Sequence, residues 1–187
     1  MSQRFRGLCY RAHNPAWSFS PISGDGAKRH GGRFNPKGVH ALYTSLSELV
    51  ALAEYQQGFL HRPQPTTLCT YEIDCVDIVD LTNLEELETR GISPVDLACS
   101  WEYDRIQGKI PASWVITQNL IDEGIAGIIV PSFANNSPEE GKNLVFWAWN
   151  DTPAHRVNVI DDWADYPGIK NRGVDGLFGD SLPIKQS

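Results

Sequence analysis

The sequence predicts a single α+β domain with a split, mostly antiparallel β core and short flanking helices. Short apolar or alternating runs at 67–74, 76–81, 126–130, 144–149 and 157–160 read as strands, since side chains alternate along an extended chain. The segments between them are short helices and irregular connections, without the regular β-α alternation of a parallel sheet. A length of 187 residues, 41% hydrophobic and 10% aromatic, suits one soluble globular domain.

Taken in order, the first local signal is the glycine pair Gly31-Gly32, a turn that lets backbone approach a ligand closely. Val39 to Tyr43 then reads as a short strand with Val39, Ala41 and Tyr43 on one face. Ser45-Leu46-Ser47-Glu48 fits a capping box, which opens a helix from about Leu46 to Gln57. Its apolar stripe falls at Leu46, Leu49, Val50 and Ala53, and Glu54 continues that stripe four residues after Val50. A carboxylate therefore stands where a hydrophobe is expected, and an ionised carboxylate out of water is costly unless it is paired or serves a purpose.

After the strands at 67–74 and 76–81, Asn83 and Ser93-Pro94 are helix starts. Ser113 to Glu123 reads as a helix that stops at Gly124. Phe133 to Lys142 is polar and turn-rich, a surface loop. Beyond Asp161, glycines and prolines surround Trp163, Tyr166 and Leu177-Phe178 with no sustained periodicity, as in an irregular arm or a partner-binding tail.

Composition excludes several function classes. A net charge of −7 argues against direct nucleic-acid binding, because phosphates demand clustered lysine and arginine. The local basic cluster, Lys28-Arg29-His30 with Arg33 and Lys37, flanks the glycine turn, where it steers an anion or simply forms a solvated loop. The amino terminus lacks the apolar run of a secretory signal, and no stretch of about eighteen apolar residues exists to cross a bilayer, so a cytoplasmic protein without membrane association is expected. Cys9, Cys69, Cys75 and Cys99 have no paired spacing, which favours reduced core thiols over disulfides or a metal site. Dinucleotide-fingerprint, P-loop, Gly-x-Ser-x-Gly and His-Glu-x-x-His patterns are all missing. Trp147 and Trp149 offer an interface for a homodimer or, by alternation within one strand, shared burial.

Arg33, Tyr43 and Glu54 fall within one supersecondary unit. Arginine suits a phosphate through its bidentate fork, tyrosine an aromatic ring, and a carboxylate a developing positive charge. Taken singly, Arg33 also fits a surface ion pair, Tyr43 a core residue, and Glu54 a side chain bending out to solvent. Together they fit a nucleotide with a scissile glycosidic bond.

The ordered set of segments resembles the RES domain, a toxin family named for its arginine, glutamate and serine. Cys9-Tyr10-Arg11 resembles the family's opening strand, Gly31-Gly32-Arg33-Phe34-Asn35 its arginine motif, and Ala41-Leu42-Tyr43 and Ala53-Glu54 follow in the family's order. Gly127 to Ser132 resembles the segment carrying the family's serine, and Asn143-Leu144-Val145-Phe146 the strand after it. Ser137 rivals Ser132 for that serine, although the Val-Pro-Ser context favours Ser132. The resemblance covers residues 8–160 and leaves 161–187 as an extension.

The resemblance implies an ADP-ribosyltransferase-like fold and a toxin that cleaves the nicotinamide–ribose bond of NAD+, by hydrolysis or phosphorolysis, held inactive by an Xre-like antitoxin that supplies DNA binding. NAD+ is then a substrate, with no prosthetic group or metal. Transfer of ADP-ribose to a protein is the alternative, and a noncatalytic nucleotide- or partner-binding module is a second. The implied site places Arg33 and Arg11 on the pyrophosphate, Tyr43 against the nicotinamide and its ribose, and Glu54 on the ribose hydroxyls and the cationic transition state. Ser132 orients the nicotinamide side or Glu54, and Asn35 and Asn143 join the substrate-binding set.

Overall fold

A computed structural model describes residues 1–57, 62 and 64–162. Its strands are β1 (Gln3–His13), β2 (Leu42–Ser45), β3 (Thr67–Asp80), β4 (Gly127–Pro131), β5 (Lys142–Phe146) and β6 (His155–Val159). The helices are α1 (Asp25–His30), α2 (Glu48–Gln56), α3 (Leu84–Arg90), α4 (Pro94–Leu97), α5 (Trp101–Ile106) and α6 (Ala112–Asp122), with a 3-10 turn at Pro15–Trp17. The expected α+β class holds. Trp163, Tyr166 and Leu177-Phe178 of the extension lie outside the described residues.

The sheet runs β1-β2-β5-β4-β3-β6, and β1 also pairs with β3. Only the β3–β4 pairing is parallel. The split is made by β3: its residues 71–75 pair with β6, and Ile78 to Asp80 pair with β4. Between the two partners Asp77 adopts a left-handed φ of 58°, the local kink by which a strand re-aims its edge. The two expected strands at 67–74 and 76–81 are therefore one strand of 14 residues with an irregularity inside it.

Alternation along the central strands divides the core into two layers. Leu42, Ile129, Leu144 and Phe146 face one layer with Cys9, Tyr71 and Ile73. Ile128, Val130 and Val145 face the other, where Phe34, Leu87 of α3, Leu97 of α4 and Leu120 of α6 cover them. Each fully buried aliphatic side chain contributes about 1.5–3 kcal/mol relative to exposure, so both layers hold the sheet's register. Among the described residues no helix is long and apolar enough to cross a membrane, and no two of the four cysteines are joined in a disulfide.

Boundaries shift around the second strand. Pairing of Leu42 with Phe146 through Ser45 with Asn143 sets β2 at 42–45, so Ser45, not Tyr43, ends the strand. Ser47 is the helix cap, accepting from the Val50 amide at 3.3 Å, and α2 starts at Glu48. The capping box at Ser45 does not form because Ser45 is still paired with Asn143 in β2 and the helix begins beyond Ser47. The later start turns Leu49 outward, 67% exposed, and buries Val50, Ala51 and Ala53. The helix starts at Asn83 and Ser93 stand, each with its side chain accepting from a first-turn amide. β5 ends at Phe146, before the tryptophans. Trp147 then donates to Phe34 O at 2.8 Å and Trp149 to Ile22 O at 3.1 Å, packing against opposite core layers.

Candidate active site

The glycine turn is built to hold Tyr43. Gly31 takes a φ of 76°, and Gly32 and Asn35 form a two-residue bridge. A side chain at Gly32 would put its Cβ 2.6 Å from the Tyr43 hydroxyl and 2.8 Å from Asn35 Oδ1, so the close approach requires glycine. Ser113 Oγ donates to Arg33 O at 2.6 Å and Trp114 Nε1 to Gly32 O at 2.8 Å, which pins the turn to α6.

Asn35 is the hub under this turn. It is fully buried, and its Nδ2 donates to the carbonyls of Ala27, Val39 and Pro36 at 2.9, 3.0 and 3.2 Å. Its Oδ1 accepts the Tyr43 hydroxyl at 2.8 Å, and that hydroxyl accepts from the Phe34 amide at 2.9 Å. Burial pushes the Tyr43 pKa up, against the smaller lowering effects of the Phe34 amide and Arg33, so the ring stays a neutral phenol. Asn35 thus orients Tyr43 from beneath and presents no surface of its own to a ligand.

Arg33 projects from the same turn. One guanidinium nitrogen, Nη1, donates to Cys99 O at 2.5 Å and Leu97 O at 3.3 Å, and the group lies 4.4 Å over the Phe133 ring. Burial lowers its pKa, while the nearby acids Cys99, Glu54 and Tyr43 oppose that shift. Glu54 and Tyr43 therefore lie near enough to Arg33 to bear on its ionisation, and Arg33 and Glu54 near enough to bear on that of Tyr43.

Glu54 is partly buried on α2, and its carboxylate is held from the sheet. Oε1 accepts from Ser132 Oγ at 2.6 Å and from Asn143 Nδ2 at 2.5 Å, and Oε2 accepts from Gln57 Nε2 at 2.8 Å. Ser132 follows the end of β4, where its amide donates to Gly141 O at 2.7 Å, and its hydroxyl also accepts from the Ala134 amide at 3.3 Å. Asn143 is the second residue of β5, opposite Ser45 in register. Two donors on one oxygen stabilise the charge that sequence position alone made anomalous.

Five expected residues thus converge: Arg33, Tyr43, Glu54, Ser132 and Asn143. Arg11 does not join them. Its neighbour Tyr10 pairs with Ser45, so alternation turns Arg11 to the opposite face, where Nη1 donates to Pro21 O at 3.0 Å and Ser23 O at 3.2 Å. The buried Ser137 hydroxyl has no hydrogen-bond partner, whereas Ser132 bonds Glu54, so Ser132 is the serine of the cluster. The loop after Ser132 does border the site, through Phe133 under Arg33. Sequence reasoning missed Ser45 and Phe133. The first was detectable, since it stands two residues after Tyr43 and shares its strand face.

The split α+β sheet that carries Arg33, Tyr43 and the sheet-held Glu54 carboxylate has an ADP-ribosyltransferase-like fold. The chain matches the RES domain family over residues 8–167 and belongs to that family of toxins. It is 30% identical over 127 residues to "Toxin Res" of Yersinia enterocolitica (serotype O:8 / biotype 1B), which spans 67% of this chain and 75% of the relative. Its fold is similar to that of a chain in the crystal structure of the M. tuberculosis MbcT-MbcA toxin-antitoxin complex. The TM-score is 0.57 at 20% identity, covering 86% of this chain and 84% of the other.

Proposed function

We propose that this chain is the toxin of a toxin–antitoxin pair and inhibits growth by cleaving the nicotinamide–ribose bond of NAD+. The observation that carries the reading is the Glu54 carboxylate, fixed by Ser132 and Asn143 beside Arg33 and Tyr43. In the reaction, the bond from the anomeric carbon to the nicotinamide nitrogen breaks with its electron pair leaving on nicotinamide. The ribose passes through an oxocarbenium-like state, and water or phosphate captures it, as in glycoside cleavage generally.

Each group then has one task. Arg33 holds the pyrophosphate with the guanidinium nitrogens that the Leu97 and Cys99 carbonyls leave available. The Tyr43 ring packs against the nicotinamide, held by Asn35 behind it. Glu54 binds ribose hydroxyls and stabilises the cation, gaining most as charge develops. Ser132 and Asn143 keep that carboxylate aimed. Arg11 serves the 21–23 loop instead of the phosphates.

A cognate antitoxin of the Xre-like type restrains the toxin and carries any DNA contact, in keeping with the acidic charge of −7 on this chain. The similar M. tuberculosis chain was solved in a toxin-antitoxin complex, which supports a protein partner.

The test is direct. Purified chain, freed of any partner, is incubated with NAD+ with and without phosphate, and nicotinamide and the ribosyl product are quantified by chromatography beside Glu54→Gln. Release that is lost in the variant supports the reading, and the product names the acceptor. Absence of release in the wild-type chain sinks it. Adenine-labelled NAD+ that leaves its label on protein assigns a protein acceptor instead.

A further inference from the structure

We infer that Ser45 is a positioning residue: through Asn143 it fixes which way Glu54 is held, and it leaves Glu54 Oε2 as the oxygen that meets the substrate. The inference rests on the NAD+-cleaving reading above and deepens it. It begins from the two ends of an amide. A carboxylate can only accept, so Asn143 must turn its NH2 end toward Glu54, and its Oδ1 end must then find a donor elsewhere. Ser45 Oγ provides it at 2.7 Å.

Both residues are nearly sealed from solvent, Ser45 at 4% and Asn143 at 9% exposure, so water does not stand in for a lost hydroxyl. The register that pairs Ser45 with Asn143 puts both side chains on one face of the sheet and makes the contact obligatory once β2 and β5 join. Without the Ser45 hydroxyl, Oδ1 is left unpaired, and a flipped amide aims one acceptor at another.

The carboxylate itself is asymmetric. Oε1 carries both sheet-derived donors, Ser132 and Asn143. Oε2 carries the exposed amide of Gln57, three residues on in the same chain segment. A sugar hydroxyl is also a donor and replaces that solvent-exposed amide at little cost, whereas displacing either donor from Oε1 would break the support of the carboxylate.

Four proteins test this: wild type, Ser45→Ala, Asn143→Ala and the double variant. If Ser45 acts through Asn143, Ser45→Ala lowers kcat for nicotinamide release about tenfold with KM changed less than about twofold, and the double variant is no slower than Asn143→Ala. Losses that multiply in the double variant overturn the proposal.

A second readout does not need turnover. The Asn143 side-chain amide signal in proton–nitrogen NMR, assigned by its disappearance in Asn143→Ala, should shift and exchange faster with solvent in Ser45→Ala. An unmoved signal overturns the proposal. Should the wild-type chain release no nicotinamide, the NAD+-cleaving reading fails, and the amide signal still decides whether Ser45 holds Asn143.

Discussion

The Asn143 amide donates to the Glu54 carboxylate at 2.5 Å across 89 residues of sequence. Glu54 sits on the buried stripe of α2, where a carboxylate would be destabilising if left to itself, and Asn143 stands at the start of a central strand. A second donor, the Ser132 hydroxyl, comes from the end of the neighbouring strand. The charge is stabilised by groups that the sheet brings from far along the chain, which is the preorganisation expected of an electrostatic catalyst.

Replacing Glu54 with Gln keeps the shape and removes the charge. Nicotinamide release should slow by the equivalent of about 2–4 kcal/mol of barrier, the cost of losing one preorganised electrostatic group, with the KM for NAD+ little changed. Steady-state kinetics on folded variant protein checks it, and near-normal kcat would remove Glu54 from the chemistry.

Arg33→Lys keeps a positive charge but loses the planar fork that reaches the Leu97 and Cys99 carbonyls while lying over Phe133. The KM for NAD+ should rise about tenfold, the worth of one charge-assisted hydrogen bond, with a smaller change in kcat. An unchanged KM would mean that Arg33 does not hold the pyrophosphate.

Gly32→Ala tests the turn that holds the tyrosine. Its Cβ would stand 2.6 Å from the Tyr43 hydroxyl and must displace either that ring or Asn35. A loss of about 1–3 kcal/mol in urea denaturation is expected, as for overpacking generally, together with loss of turnover. Wild-type stability and activity in this variant would show the turn to be looser than its geometry.

Asn35→Leu removes an amide that pairs with three carbonyls and the Tyr43 hydroxyl in a site fully closed to solvent. Leaving those groups unpaired should cost at least about 2 kcal/mol, visible as a lower urea midpoint. A variant that keeps its midpoint and loses only NAD+ affinity would return Asn35 to the substrate-contacting set.

Asp74 gives a pH signature. It accepts from Arg4 at 2.6 and 2.8 Å and from Arg156 at 2.7 Å, tying β1 and β6 to β3. Hydrogen bonds from Arg4, then from Arg156, hold its carboxyl well below the usual carboxylate range. A depressed folded-state pKa stabilises the protein above the unfolded value and is lost as pH falls through the folded one. The melting temperature should therefore drop on acidification below about pH 4, and less steeply in Asp74→Asn than in wild type. Parallel curves for the two proteins would count against the clamp.

The sequence by itself determined the α+β class and the caps at Asn83 and Ser93, and it placed Arg33, Tyr43 and Glu54 within one supersecondary unit, because these signals lie within one or two local units. Glycine and proline punctuation and alternation are set by backbone sterics, which neighbouring residues alone reveal. It also flagged Glu54 as misplaced on an apolar stripe. Tertiary structure decided what local signals leave degenerate. Ser45 and Ser47 are both good caps, and only the pairing of Ser45 with Asn143 assigns the cap to Ser47. Arg11 and Tyr10 differ by one residue, and only the bridge from Tyr10 to Ser45 shows which side chain is turned from the site. Asn35 reads as a polar residue beside a motif, and only folding closes four partners around it. Strand register reverses a side chain's face with each single-residue step, and that register is set by contacts distant in sequence.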